Sequence, residues 1–385
     1  MATKVSSARF VGRTAEFDLL TSALSDARSG RPSLVLLGGE AGVGKTRLVD
    51  EFTQRSRAEG VRVLVGGNVE LGEEGMPFAP VSAALRGLLR DLTPEQTTAL
   101  LEPGREDLAR LLPELGPVGT RTEAGRGRLF EVLIGLLERL AQESPLLLIV
   151  EDLHWADRST RELLAYLARS LRDSQILIVV TYRSDEVHRG HPLRAYLAEL
   201  DRVGTVVRRQ LERLTHDEVA AQVADLLGAP PAPWVVQRVY DRSEGNAFFV
   251  EEIVCADLHE DDGRLTDSLR ELLLARLERL PQRTQWLLRI ASVGGRHVDY
   301  GLLSAVSEMP ENDLAEALRE AVFGHALTVD ADETSFSFRH SLVREALHED
   351  LLPGEHGRVH ARYAEALERD PTLVPPARFS AEIAH

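Results

Sequence analysis

The sequence predicts an α/β fold: a doubly wound parallel sheet over residues 1–210, followed by an all-α unit over 211–262 and a winged-helix unit over 263–353. Three observations carry this expectation. Apolar runs with almost no polar alternation recur through the first half of the chain, with amphipathic stretches between them. One of these runs passes into a helical pattern through a glycine-rich loop, and beyond residue 211 strand-like runs thin out while helical periodicity takes over. At 385 residues the chain also exceeds what one hydrophobic core organises, so more than one domain is expected.

The strand candidates are SLVLL (33–37), VRVLVGG (61–67), PLLLIVED (145–152), QILIVVTYR (175–183) and GTVVRRQLERL (204–214). Near-continuous apolar runs are what a parallel sheet covered on both faces requires. TRLVDEFTQRSRAEG and GRLFEVLIGLLERLAQES lie between them as amphipathic helices, which makes a β-α-β-α order and hence a doubly wound sheet. In the helix TRELLAYLARSL, Asp157 or Ser159 is expected to cap the start, Ser159 and Glu162 having capping-box spacing. Past residue 211, THDEVAAQVADLLG and DSLRELLLARLERLPQRTQWLLRIASVGG read as helices, with GAPPAPW (228–234) and LHEDDGRL (258–265) as connections. HALTVDADETSFSFRH reads as a β-hairpin around DADE, and helices plus a hairpin give the winged-helix expectation. LLPGEHGRVH reads as a connection to a last helix, ARYAEALERD, with 354–385 as the start of a further helical region.

Composition excludes several functions. The net charge of −16 argues against direct binding of nucleic acid by these residues, because phosphate backbones demand a concentrated positive surface. A single cysteine, Cys255, rules out a disulfide framework or a thiolate zinc site within the chain. The N-terminal residues lack a signal-peptide core, and no run reaches the roughly 18 apolar residues of a membrane span, so a soluble cytoplasmic protein with no membrane partner is expected. Only Lys4 and Lys45 are lysines; all other basic residues are arginines.

Lys45 closes the glycine-rich loop, GGEAGVGKT, and that pattern answers to a phosphate chain. Gly39, Gly42 and Gly44 allow the backbone to curl so that successive N–H groups point inward, while the helix that follows presents its positive end to the same point. The binding segment is Gly39, Glu40, Ala41, Gly42, Val43, Gly44, Lys45, Thr46 and Arg47; Lys45 is placed for the β- and γ-phosphates and the Thr46 hydroxyl for Mg²⁺. Glu151 and Asp152, after five apolar residues, supply the second acidic pair, one for the metal and one for an attacking water, with the neighbouring strand as the expected location. Solvated carboxylates at a strand end are the plain alternative. Thr181 and Arg183 fall at the carboxyl edge of the next strand, where Arg183 is a candidate γ-phosphate sensor or, alternatively, the partner of Asp185 or Glu186. Trp155 reads as packing, and His154 receives no role.

With these residues in place, a resemblance becomes specific. FVGRTAEFDLL (10–20), GGEAGVGKTRLVDEF (38–52), LLLIVEDLHWAD (146–157), VVTYRSDE (179–186), SEGNAFFVEEI (243–253) and FSFRHSLVREAL (336–347) resemble, in this order, the STAND-class ATPase core of the large ATP-binding regulators of the LuxR family. The resemblance implies a P-loop NTPase domain, a helical lid and a winged-helix domain that close over ATP or ADP with Mg²⁺. In complete family members a helical sensor region and a DNA-binding helix-turn-helix follow, neither of which is in this sequence. It also implies Gly12 and Arg13 at the adenine with Val11 beside them, Lys45 and Thr46 on phosphate and metal, Glu151 and Asp152 in the acidic motif, and Arg183 at the γ-phosphate. Where the family commonly has Gly-Asn-Pro, this chain has Gly245-Asn246-Ala247. His340 resembles a winged-helix histidine that reads the phosphates in related switches, the alternative being a histidine satisfied within a helix bundle.

Two functional classes follow. One is a nucleotide-dependent regulator, with a signal shifting an equilibrium between ATP and ADP states and with nucleotide-dependent self-association. The other is an enzyme in the ordinary sense, a free-standing ATPase; the same core also serves kinase- or cyclase-linked signalling. The order Glu before Asp suggests slow hydrolysis, which suits a switch. HEDD (259–262) and RLTHDEV read as a solvated linker and a helix start rather than metal sites.

Overall fold

The structure, a computed structural model, describes residues 7, 9–68, 77–102, 104–115, 123–187, 191–258, 265, 267–330 and 334–373. The chain divides into two compact units, Gly12–Glu212 and Arg213–His385, the latter joined by Met1–Val11.

Among the described residues the N-terminal unit is built on five strands: β1 (Ser33–Gly39), β2 (Arg62–Gly67), β3 (Leu146–Glu151), β4 (Ile176–Arg183) and β5 (Val206–Gln210). They lie in the order β2-β3-β4-β1-β5, and every pairing is parallel. β1 forms because Leu34, Val35, Leu36 and Leu37 are all within 1% of complete burial, covered on both faces of the sheet. Each such side chain contributes about 1.5–3 kcal/mol by leaving water. β5 is the edge strand and is largely exposed, which is why its sequence VVRRQ turns polar. Helices Lys45–Ala58, Glu123–Glu143 and Arg158–Ser170 belong to the crossovers, with Ala79–Arg90 and Pro94–Leu101 between β2 and β3. Gly66 lets the first of these approach β2: a Cβ there would stand 1.8 Å from the Pro80 carbonyl oxygen.

Two details correct the sequence reading. The helix Arg158–Ser170 is capped by Asp157, whose carboxylate accepts from the Ser159 and Thr160 N–H groups. No Ser159–Glu162 capping box forms, because Glu162 is drawn to Arg126 and Arg158, each at 2.7 Å. Nor are the acids of β3 on the strand next to β1, since β4 intervenes.

The C-terminal unit opens with helices His216–Leu227, Pro233–Ser243 and Ala247–Leu258. Gly228 ends the first in the left-handed region (φ 68°), and Pro233 opens the second at a position where its missing N–H costs nothing. Residues 7 and 9 are tied to this unit: the Ser7 hydroxyl donates to Asp225 at 2.6 Å, and the Arg9 N–H donates to the same carboxylate at 3.0 Å. Most of the acidic connection, 259–264 with its HEDD cluster, lies outside the described residues. Helices Asp267–Leu277, Gln282–Val293, Tyr300–Ser307, Glu311–Phe323 and Ser341–Asp350 follow, the last three packing on a small antiparallel sheet. Its strands, β6 (His297–Asp299), β7 (Leu327–Val329) and β8 (Ser335–Phe338), run in the order β6-β8-β7. The tip of the β7–β8 pair, 331–333, is outside the described residues, and β6 adds a third strand to it.

The last helix, Pro353–Arg369, starts within the stretch PGEHG that reads as a linker. Pro353 sits at the helix start, where a proline is tolerated, and the Glu355 carboxylate accepts the Leu352 N–H at 3.1 Å. Buried Val359, Tyr363, Ala366 and Leu367 on one face outweigh the helix-weakening glycines 354 and 357. Among the described residues no helix is long and apolar enough to cross a membrane.

Candidate functional site

β1 ends at Gly39, and the chain re-enters a helix at Lys45. Gly42 (φ 76°) and Gly44 (φ 104°) hold the left-handed conformations that curl the loop between them. Gly39 contributes differently: a Cβ there would lie 2.8 Å from Val43 Cγ1, so its smallness admits the returning loop. Lys45 is buried, and its ammonium donates to the carbonyls of Gly39 (2.8 Å) and Glu40 (2.9 Å). Burial lowers its pKa from 10.5 to about 8; Asp185, Asp152 and Glu186 counteract this, while Arg183 adds to it. Thr46 and Arg47 stand exposed on the first turn of the helix.

β4 lies beside β1 in a register that sets Arg183 opposite Gly39, and the Ser184 N–H donates to the Gly39 carbonyl at 3.2 Å. β3, one strand further out, brings Glu151 and Asp152 to the same edge. Thr181 links the two strand ends, its hydroxyl accepting the Asp152 N–H at 3.1 Å. Asp152 itself turns the chain with φ 54°, a conformation that aspartate tolerates better than most residues. The Glu151 carboxyl is pushed above its ordinary pKa by burial, then by Asp152 and Asp50. Arg183 pairs with Glu186 at 2.8 Å and lies over the Trp155 ring, 5.0 Å from its centroid. The loop ion pair, the plainer alternative for this arginine, is thus the contact it makes in this structure.

Two of the residues brought together here were not picked out by sequence. His154 is buried, accepts the Arg183 N–H at Nδ1 (3.4 Å), and has Nε2 3.4 Å from Glu186. Asn68, after β2, uses its side-chain amide to donate to the Glu151 carbonyl at 2.8 Å. A lone amide directly after GG at a strand end was the available signal for Asn68. For His154 only burial distinguishes it, and burial is a tertiary property.

Arg13, which the resemblance puts at the adenine, lies beside the glycine-rich loop. Its buried guanidinium donates to the carbonyls of Val43 (2.8 Å) and Glu212 (2.5 Å), bracing the loop from behind. Gly12 and Arg13 both have positive φ, at 69° and 66°, just before the helix Thr14–Arg28.

Val11, Ala247 and His340 belong to the C-terminal unit. The Ala247 carbonyl accepts from Gln222 at 3.0 Å. His340 is buried against the edge of Phe249 (5.6 Å between centroids), with Nδ1 3.1 Å from Arg213. Glu244 joins the group by pairing with Arg213 and Arg296, each at 2.6 Å. His340 therefore has partners within its own unit, the arrangement named as its alternative.

His154 makes stability depend on pH. Burial, followed by the nearby charges of Arg183 and Lys45, lowers its pKa from 6.5 to about 3. Between those values the unfolded chain binds a proton that the folded chain does not, so stability falls as pH drops below 6.5, by up to about 1.4 kcal/mol per unit. The expected result is a shallower acid limb for His154→Asn than for the parent when unfolding free energy is followed from pH 7 to 4. Identical slopes would contradict the burial account.

Comparison with known proteins agrees with the architecture. Residues 9–180 match the family model of the AAA ATPase domain. An uncharacterized protein of Rhizobium meliloti is 26% identical over 403 positions, covering 94% of this chain and 37% of that protein. This chain therefore spans little more than a third of that relative. The structure of the ORC2 protein of Aeropyrum pernix, in ADPNP–ADP complexes, superposes with a TM-score of 0.52 at 16% identity, covering 95% of this chain and 96% of that one. A signal transduction ATPase with numerous domains (STAND) and a tetratricopeptide repeat sensor, from Pyrococcus horikoshii, gives 0.42 at 16% identity over 99% of this chain and 49% of that one. Residues 9–180 are thus similar to the AAA ATPase domain, and their parallel α/β sheet is that of the P-loop NTPase fold.

Proposed function

We propose that the N-terminal unit binds ATP or ADP with Mg²⁺ and hydrolyses ATP slowly, serving as the switch region of a STAND-class, LuxR-type transcriptional regulator. The observation that carries the reading is the curled loop at the carboxyl edge of β1, with Lys45 at its end and two acids and an arginine on the ends of β3 and β4. The loop fits a polyphosphate: its two left-handed glycines suit an anion-binding nest, and Lys45 is a buried cation that donates to the Gly39 and Glu40 carbonyls. Thr46, Glu151 and Asp152 offer the oxygen ligands that a hard cation takes. Mg²⁺ there would neutralise phosphate charge.

Within this reading Lys45 exchanges the carbonyls of Gly39 and Glu40 for phosphate oxygens. Arg183 exchanges Glu186 for the terminal phosphoryl group, at small cost, because a part-exposed ion pair contributes about 0–1 kcal/mol. Glu151 and Asp152 divide the metal and the attacking water between them. The presence or loss of the γ-phosphate then controls how the parts of the protein pack and whether they self-associate, with residues 211–262 serving as helical lid and 263–353 as winged-helix domain. DNA would be contacted by a helix-turn-helix outside these 385 residues.

Asp152→Asn tests the division of labour. It is expected to keep ADP affinity within a factor of about three and to slow single-turnover hydrolysis by roughly 100-fold, the size of a lost positioning or general-base group. Equal loss of binding and turnover would make the acid structural. A parent rate of many turnovers per second would reject the switch.

A further inference from the structure

Three imidazoles meet in the C-terminal unit, in a place that the nucleotide reading does not use. His356 and His360 are one turn apart on the helix Pro353–Arg369, and His348 reaches them from the end of the preceding helix, Ser341–Asp350. The Nε2 atoms of His348 and His356 are 3.0 Å apart, and one ligand nitrogen from each of the three lies within 4.8 Å of the others. Ring centroids are 4.6 Å apart for His348–His356 and 4.4 Å for His356–His360.

We propose that His348, His356 and His360 form a binding site for a divalent first-row transition ion, with Zn²⁺ the best match. The argument is geometric. A tetrahedral zinc with Zn–N bonds near 2.0–2.1 Å has ligand–ligand edges of about 3.3 Å. The His348–His356 pair, at 3.0 Å, needs to open by about 0.3 Å, and the third nitrogen needs a movement of at most about 1.5 Å, within reach of an imidazole rotation. Three neutral imidazoles with a fourth position open to water are a donor set suited to zinc, copper or nickel and unsuited to Mg²⁺ or Ca²⁺. All three side chains are half-buried, so solvent can deliver the ion.

The nearby cation Arg344 opposes a metal, yet its guanidinium is engaged with the Ser292 carbonyl at 3.1 Å. A bound ion would clamp the helix Ser341–Asp350 to the helix Pro353–Arg369 across the turn at residues 351 and 352. This makes the end of the described chain a metal-dependent joint.

The test uses the full 385-residue chain, freed of any histidine tag and of metal by chelation, and titrated with Zn²⁺ in a calorimeter. One ion per chain is expected, with a rise in the midpoint of thermal unfolding. His348→Gln and His356→Gln should each weaken that site by roughly 30-fold or more, whereas His297→Gln, on β6, should leave it unchanged. X-ray absorption on the zinc-loaded parent serves should a variant not fold: a shell of three imidazole nitrogens near 2.0 Å is expected. Absence of a stoichiometric site, binding that survives both substitutions, or a shell with fewer than two imidazoles would overturn the proposal.

Discussion

Lys45→Ala is expected to weaken binding of both ADP and ATP by at least about 100-fold, while the N-terminal unit stays folded. The loss follows from removing a charged donor to phosphate, and two charge-assisted hydrogen bonds at about 1.5 kcal/mol each already amount to that factor. Folding should survive because this cation is held at a cost. Burial drags its pKa from 10.5 to about 8, so its desolvation is only partly offset by the Gly39 and Glu40 carbonyls and by the surrounding acids. Once the ammonium is gone, the Gly39 carbonyl still accepts the Ser184 N–H. Fluorescent-nucleotide titration beside a thermal melt reads both halves. A variant that binds normally would remove the phosphate from the account, and one that unfolds would make Lys45 structural.

The second large effect is on stability. Gly245→Ala should destabilise the C-terminal unit by about 3 kcal/mol or more, because two penalties fall on one residue. Gly245 has φ 76°, where a Cβ costs about 1–2 kcal/mol. That Cβ would also stand 2.2 Å from the Leu214 carbonyl oxygen, a backbone atom that cannot swing away. The close approach is fixed by the Leu214 N–H donating to the Gly245 carbonyl at 2.7 Å. Next in the chain, the Asn246 side-chain oxygen accepts the Phe248 and Phe249 N–H groups at 3.2 and 3.4 Å, starting the helix Ala247–Leu258. The Gly-Asn pair thus has a local structural purpose whatever the nucleotide does. A fall of roughly 6–12 °C in the unfolding midpoint of this unit is expected; a shift under about 2 °C would show that the turn relaxes freely.

How far the sequence could be read depends on which property each residue expresses. β1, β3 and β4 are legible because strands covered on both faces must be apolar throughout, and their residues are buried almost without exception. β5 is only partly legible, since its exposure replaces the apolar run with VVRRQ. Strand order is not written locally. That β4 lies between β1 and β3 is decided by contacts far apart in sequence, so the acids stand one strand further from the glycine loop than adjacency suggests.

The same distinction runs through the candidate site. The loop is legible because left-handed φ and close approach demand glycine, and those demands are local. His154, Asn68 and the brace from Arg13 to Val43 are not, because each acquires its environment only when distant strands assemble. The helix Pro353–Arg369 shows the opposite error: proline and glycine read as breakers, and burial of one face overrode them.

The central claim is that the curled main chain after β1 grips the phosphates of an adenine nucleotide, and calorimetric titration of the folded 385-residue chain with ADP and with Mg²⁺-ATP tests it most directly. The account predicts one saturable site per chain for each nucleotide, with affinity of micromolar order, about −8 kcal/mol. Well-folded protein that takes up neither nucleotide at about 1 mM, a limit near −4 kcal/mol, would contradict it.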